Sequence, residues 1–157
     1  MSNKIGIVIL ATNAYFALGV RFMKKFMHHY KGDSDIKFYF FSDEDPHPYI
    51  GDNIQVEYIE QHHTNWMDGT NSKFYNIISL ENTDRDYLIY FDADTSVSRD
   101  FTEEWFLGET VGLEHFGNNG WMKEVKGYDR NPASKAYVPY NTPLFQMYYH
   151  GCLFGGS

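Results

Sequence analysis

Two aspartates one residue apart, Asp92 and Asp94 with Ala93 between them, follow directly on the run Tyr87-Leu88-Ile89-Tyr90-Phe91. Carboxylates are hard oxygen ligands suited to Mg2+ or Mn2+. The carboxyl ends of buried strands are where open α/β sheets bind their ligands. A metal held by Asp92 and Asp94 could bridge two phosphates and neutralise the charge that builds on a departing diphosphate. The pair also has an ordinary use, because aspartate is common in the turns that follow strands. A D-x-D motif therefore needs its surroundings before it means anything.

The elements that must position these residues can be read from apolar periodicity. Ile5-Gly6-Ile7-Val8-Ile9-Leu10-Ala11 is a continuous apolar run, as expected of a strand covered on both faces. From Ala14 to Tyr30 apolar residues recur at helical spacing, with Tyr15, Leu18, Phe22, Phe26 and Tyr30 expected on one inward side. Lys24, Lys25, His28 and His29 fall near the end of that helix, where cations suit the dipole. Ile36 to Phe41 and Ile54 to Ile59 are expected strands, and Asn71 to Leu80 a helix with Phe74, Ile77 and Ile78 inward. Tyr87 to Phe91 is the next buried strand. Phe101 to Leu107 is expected as a short helix, and Thr110 to His115 and Gln146 to Phe154 as strands. The order strand–helix–strand–strand–helix–strand predicts an α/β domain with a mostly parallel, Rossmann-like central sheet flanked by helices.

Charge and length narrow the function. The 157 residues are expected to form one domain. With 21 acidic against 13 basic residues the net charge is −8, and there is no Lys/Arg run, so nucleic acid is not the expected partner. An acidic protein that binds an anionic nucleotide needs a cation in the site. Cys152 is the only cysteine, so no disulfide can form within the chain, which fits a reducing cytoplasm. Ile5 to Ala11 is too short to span a membrane. A lone Lys4 before it and no small-residue cleavage site after it argue against a signal peptide. The expectation is a soluble, cytoplasmic protein without a membrane anchor.

Four segments occur in a fixed order: Trp66-x-Asp68-x-Thr70-x-x-Lys73, Asp92-Ala93-Asp94, Arg130-Asn131-Pro132-Ala133-Ser134-Lys135-Ala136-Tyr137-Val138-Pro139, and Tyr148-Tyr149-His150-Gly151-Cys152-Leu153-Phe154-Gly155-Gly156-Ser157. This series resembles glycosyltransferase family 6, the family of the histo-blood-group A and B transferases and the α-1,3-galactosyltransferases. The resemblance runs from about Ile5 to Ser157, and its last two segments are far more specific than D-x-D.

The resemblance implies a GT-A fold. It also implies a retaining transfer of galactose or N-acetylgalactosamine, in α-1,3 linkage, from its UDP-sugar to a galactoside acceptor. Leu10-Ala11-Thr12 and Tyr15 then stand where the family holds uridine, with Tyr15 packing on uracil; packing of Tyr15 within the core is the alternative. Lys73 stands where the family has a basic residue, typically Arg, near the donor, and lysine lacks the bidentate fork. Asp94 is implied as the more direct ligand of Mn2+ or Mg2+, with Asp92 shared between ribose and metal-bound water. His150-Gly151-Cys152 occupies the triplet that lines the donor sugar. His150 favours galactose, while Gly151 leaves room for an acetamido group. His115 resembles the acceptor-binding histidine, although its neighbours depart from the family's His-Pro-Gly-Phe-Tyr. His28, His29, His47, His62 and His63 show no metal-ligand spacing and are expected at the surface.

The family continues beyond F-G-G-S through a W-H-D-E-type segment whose acidic residue faces the donor sugar as candidate nucleophile or cation stabiliser. The catalytic residue is thus expected beyond Ser157, in a longer protein of which this is a truncated form. A non-catalytic UDP-sugar-binding remnant is the second reading. A phosphohydrolase of the haloacid-dehalogenase type, with Asp92 as nucleophile, is the third. That class wants Thr or Val where Ser96 stands and usually carries the motif on its first strand.

Overall fold

Alternation along one strand sets the layers of this protein. In the computed structural model, which describes residues 2–105, 107–108, 111–114 and 149–157, the first apolar run is β1 (Lys4–Leu10). Ile5, Ile7 and Ile9 point to one face of the sheet, and Val8 and Leu10 to the other. A 3-10 turn (Asn13–Tyr15) leads into α1 (Phe16–His29). There follow β2 (Asp35–Ser42), β3 (Val56–Glu60), α2 (Trp66–Ser79) and β4 (Tyr87–Asp92). The last strands are β5 (Val111–Glu114) and β6 (Tyr149–Gly156).

The chain divides into two compact units. The first, Met1–Val111 with Cys152–Ser157, is built on a sheet whose strands lie in the order β3-β2-β1-β4-β6. β2 and β4 flank β1 in parallel, β3 joins β2 in parallel, and β6 pairs antiparallel with β4. This is the expected mostly parallel α/β arrangement. In the second unit, Gly112–Gly151, the described residues belong to β5 and β6, which neighbour each other.

Aromatic packing between α1 and the sheet dominates the core. Phe26 meets Phe38, Phe91 and Phe101 edge-on, at centroid separations of 5.5, 5.9 and 4.9 Å. Such edge-to-face pairs add to the burial of apolar area. The buried positions of α1 are Gly19, Val20, Phe22, Met23 and Phe26. The expected inward stripe is therefore corrected at its start, since Tyr15 and Leu18 are exposed. Gly19 shows why the stripe turns. A Cβ there would stand 2.6 Å from Ala11 Cβ and 2.8 Å from Phe40 Cε2, so the helix approaches the sheet most closely at this residue.

The opposite face of the sheet carries Val8, Leu10, Tyr39, Phe41 and Tyr90, with Leu80 and Ile77 from the α2 end packed on them. Phe74 and Ile78, expected inward, are exposed, and the buried residue between them is the polar Asn76. α2 also begins five residues earlier than its apolar pattern predicts. Asn65 caps it: Oδ1 accepts from the Asp68 amide at 3.0 Å, and Nδ2 donates to Asp68 Oδ2 at 2.7 Å. The expected helix over Phe101–Leu107 is reduced to a 3-10 turn at Glu103–Trp105, because Phe101 is drawn into a bridge with Tyr30. No helix among the described residues is long and apolar enough to cross a membrane.

Candidate functional site

Four parallel strands end at one side of the sheet, and Leu10 and Asp92, with Ala11, Thr12, Ala93 and Asp94 after them, lie there. Asp92 closes β4 directly opposite Leu10, the last residue of β1. Leu10 and Ala11 are buried, and Ala11 is held at both backbone groups. Its amide donates to Phe41 O at 2.9 Å, and its carbonyl accepts from Ser42 Oγ at 2.6 Å. Thr12 precedes the 3-10 turn. Asn13 then adopts φ 56°, a left-handed conformation that asparagine tolerates. The Asn13 amide donates to Asp43 Oδ1 at 2.8 Å, which pins the turn to the end of β2. Tyr15 leaves this turn with nearly half its surface exposed. Its aromatic face is thus not spent on the core.

Asp92 and Asp94 turn to different surroundings. The Thr95 amide donates to the Asp92 carbonyl at 3.0 Å, closing a turn over residues 92–95. Within it Ala93 is buried and Asp94 exposed. The Asp92 side chain lies on the α2 face, where Lys73 Nζ stands 2.5 Å from Oδ1 and Tyr90 OH donates to the same oxygen at 3.0 Å. Lys73 Nζ is also 5.5 Å from the Tyr90 ring centroid, within range of a cation–π contact. Lys73 is therefore not a solvated surface lysine: α2 aims it at the first aspartate of the motif.

Asp94 borders a cleft of about 100 Å³ that runs down α1, lined also by Arg21, Lys25, Ala93, Thr95 and Ser96. Its volume is too small for a nucleotide-sugar, whose pockets run to several hundred Å³. Two cations beside Asp94 nonetheless make this edge attractive to an anion. Sequence reasoning missed Arg21; its spacing of four from Lys25 on one helix face was the available signal. A larger cleft, of about 380 Å³, lies between α1 and Tyr49 and includes none of the expected donor residues. The backbone geometry around Asp92 is the better guide to the site.

The last residues of the terminal motif pair with β4. Leu153 of β6 pairs with Phe91, and Phe154 with Tyr90, so Cys152 and Asp92 are the next residues on their strands past the last pair. His150 and Gly151 precede Cys152 on β6. His115 and the Arg130–Pro139 segment lie outside the described residues. Among the histidines expected at the surface, His63 departs. Its Nδ1 is buried and its Nε2 lies 2.9 Å from Ser72 Oγ.

The donor set fits a small divalent cation. Asp92 keeps Oδ2 apart from the Lys73 and Tyr90 contacts, and Asp94 is exposed one residue beyond. Among the described residues no three His, Cys, Asp or Glu side chains converge as a closed metal cage. Mg2+ and Mn2+ do not require one, since such ions use one or two carboxylates together with water and substrate phosphates.

Comparison with known proteins agrees with this geometry. The sequence profile of glycosyltransferase family 6 matches residues 1–157. Among curated proteins, the chain is 27% identical over 165 aligned residues to histo-blood group ABO system transferase 2 of Rattus norvegicus, covering 99% of this chain and 48% of that protein. It is equally 27% identical to histo-blood group ABO system transferase 1 of the same organism, covering 99% of this chain and 46% of the relative. The chain thus spans about half the length of the curated relatives it matches.

Proposed function

The chain belongs to glycosyltransferase family 6, and from this membership we propose that it carries the donor half of a hexosyltransferase that takes galactose or N-acetylgalactosamine from its UDP-sugar. The observation that carries the proposal is the meeting of Asp92 at the end of β4 with Leu10 at the end of β1 and Lys73 from α2. That is the edge at which an open α/β sheet accepts a ligand. Membership also sets aside the phosphohydrolase reading.

In this proposal Leu10, Ala11 and Thr12 provide the backbone shelf for uridine and Tyr15 its exposed aromatic wall. Asp92 orients the ribose through Oδ2, while Lys73 and Tyr90 fix its other oxygen. Asp92 and Asp94 would hold Mn2+ or Mg2+, which when bound supplies Lewis-acid stabilisation of the leaving diphosphate. Ala93, buried beneath the turn, keeps the two carboxylates on a fixed backbone arc. His150, Gly151 and Cys152 are proposed to line the donor sugar, a reading supported by the family resemblance of the terminal motif and by the pairing of Leu153 with Phe91, the residue before Asp92. His115 is proposed for the galactoside acceptor, and the α-1,3 linkage and retention of configuration follow the family pattern.

The deciding experiment is calorimetry of this chain with UDP, UDP-galactose and UDP-N-acetylgalactosamine, with Mn2+ and with EDTA. Binding that needs Mn2+ and is lost in Asp94→Asn supports the proposal. Binding at full strength in EDTA removes the metal role, and absence of UDP binding under any condition removes the donor role.

A further inference from the structure

Lys73 must be held in place for its pairing with Asp92 to serve the donor site. Ile77, the following Leu80 and the Phe74–Phe154 ring contact give the helix that carries it apolar anchorage, while Phe74, Tyr75 and Ile78 stay largely exposed. Side-chain hydrogen bonds from the loop between β3 and α2 fix it further. Asn76, only 4% exposed, donates Nδ2 to Gln61 Oε1 at 2.9 Å. Thr64 and Asn65 both donate to Asp68 Oδ2. On its other side this loop is tied to the end of β1, where Asn13 Nδ2 donates to the His63 carbonyl at 3.3 Å.

His63 joins the two sides. Its carbonyl is bonded to Asn13, two residues past Ala11, and its ring to Ser72, the neighbour of Lys73. Asn76 donates to Gln61 Oε1, so Gln61 turns its amide nitrogen toward His63 Nε2, at 3.2 Å. Ser72 Oγ lies 2.9 Å from the same ring nitrogen and donates its one hydroxyl hydrogen to Asp68 O at 2.7 Å. Nδ1, buried and without a partner among the described residues, is the cost of this arrangement.

We propose that His63 is a positioning residue, which bonds Ser72 through its ring and Asn13 through its carbonyl and so holds Lys73 against Asp92. The role of Lys73 in donor binding rests on the function proposed above; its placement by His63 does not. The chemistry is not replaceable by size alone. A ring nitrogen set between Gln61 and Ser72, at 3.2 and 2.9 Å, reaches across the loop, which an alanine cannot do.

The test separates these two layers. Lysine acylation of the folded chain, read residue by residue by mass spectrometry, reports how tightly Lys73 is held. His63→Ala should raise Lys73 labelling severalfold and leave Lys24 and Lys25 unchanged. Ser72→Ala should do the same. It places the best helix former in α2, so loss of folding would not explain its effect. Unchanged Lys73 labelling in a folded Ser72→Ala protein overturns the proposal.

The second readout is UDP affinity in Mn2+. Both variants should weaken it about tenfold, with no further loss in a Lys73→Met background, because residues acting through one another are not additive. Losses that simply multiply would show that His63 acts elsewhere. If the unaltered chain binds no UDP, the donor reading fails, and labelling of Lys73 still decides whether His63 positions it.

Discussion

Lys73 Nζ and Tyr90 OH meet at a single oxygen of Asp92, at 2.5 and 3.0 Å, while the residue comes from the strand paired with β1. The first aspartate of the motif is thus already half engaged by protein groups, and any ligand must share it with a cation. Asp94, exposed within the turn, carries no such partner among the described residues and stands nearer to solvent. The two carboxylates are chemically alike and physically unequal.

Replacing the cation tests that inequality. Lys73→Met should weaken UDP binding measured at saturating Mn2+ by roughly tenfold, the equivalent of about 1.4 kcal/mol, for a hydrogen bond to a charged group. The same variant should bind Mn2+ more tightly, because a competing positive charge has left Asp92. Calorimetry of both ligands checks the pair of opposite signs. Parallel losses for UDP and Mn2+ would contradict it.

Asp94→Asn removes the charge proposed to hold the metal without disturbing the turn that Asp92 closes with Thr95. Thermal stability should stay within about 0.5 kcal/mol of the unaltered chain, as for an exposed substitution away from the core. Mn2+ binding should fall at least tenfold, or about 1.4 kcal/mol. Electron paramagnetic resonance of free Mn2+ measures the second quantity. A retained Mn2+ affinity would assign the ion elsewhere.

At the other end of the sheet, Arg85 and then Lys4 hold the Asp84 carboxyl down at a pKa of about 2, below its ordinary 3.8. A depressed folded-state pKa contributes stability above the unfolded value, and that contribution is lost as pH falls through about 2. The urea midpoint should therefore drop more steeply from pH 4 to 2 in the unaltered chain than in Asp84→Asn. The group is fully exposed, so added salt should blunt the difference. Identical slopes for the two proteins would count against it.

Gly155 is required by close approach. A Cβ at this position would run into the Leu88 carbonyl, a backbone atom that cannot move aside, and the residue sits at φ 157°. Gly155→Ala should cost about 2 kcal/mol or more of unfolding free energy. It should also loosen β6 from β4, visible as faster amide exchange at Leu153 and Phe154. An unchanged urea midpoint would mean that the strand pair adapts.

Much of this was legible in the sequence because burial leaves periodic marks. Continuous apolar runs gave β1, β2 and β4, and the position of Asp92 just past such a run located the site edge. What escaped was set by single polar contacts. The start of α2 depends on Asn65 and Asp68 capping each other, and an apolar pattern cannot register a cap. Phe74 and Ile78 follow helical spacing yet are exposed, because polar Asn76 takes the inward place to reach Gln61. Lys73 is expected near the donor from the resemblance alone; its partner Asp92, nineteen residues later, is brought to it only by the fold. The terminal motif carried a family resemblance, but its nearness to Asp92 came from the antiparallel β6 pairing.

The polar fastening of α2 has a thermodynamic consequence for the unit as a whole. A helix held by partly exposed hydrogen bonds and a few apolar contacts at Phe74, Ile77 and Leu80 opens at lower free energy than one bedded in several buried aromatic rings, so α2 and α1 belong to different tiers of local stability. A ligand that grips Lys73 binds only the closed form, and it must therefore slow amide exchange along α2 in proportion to its affinity. Occupancy of the sheet edge would be legible as protection of a helix whose other turns the ligand never touches.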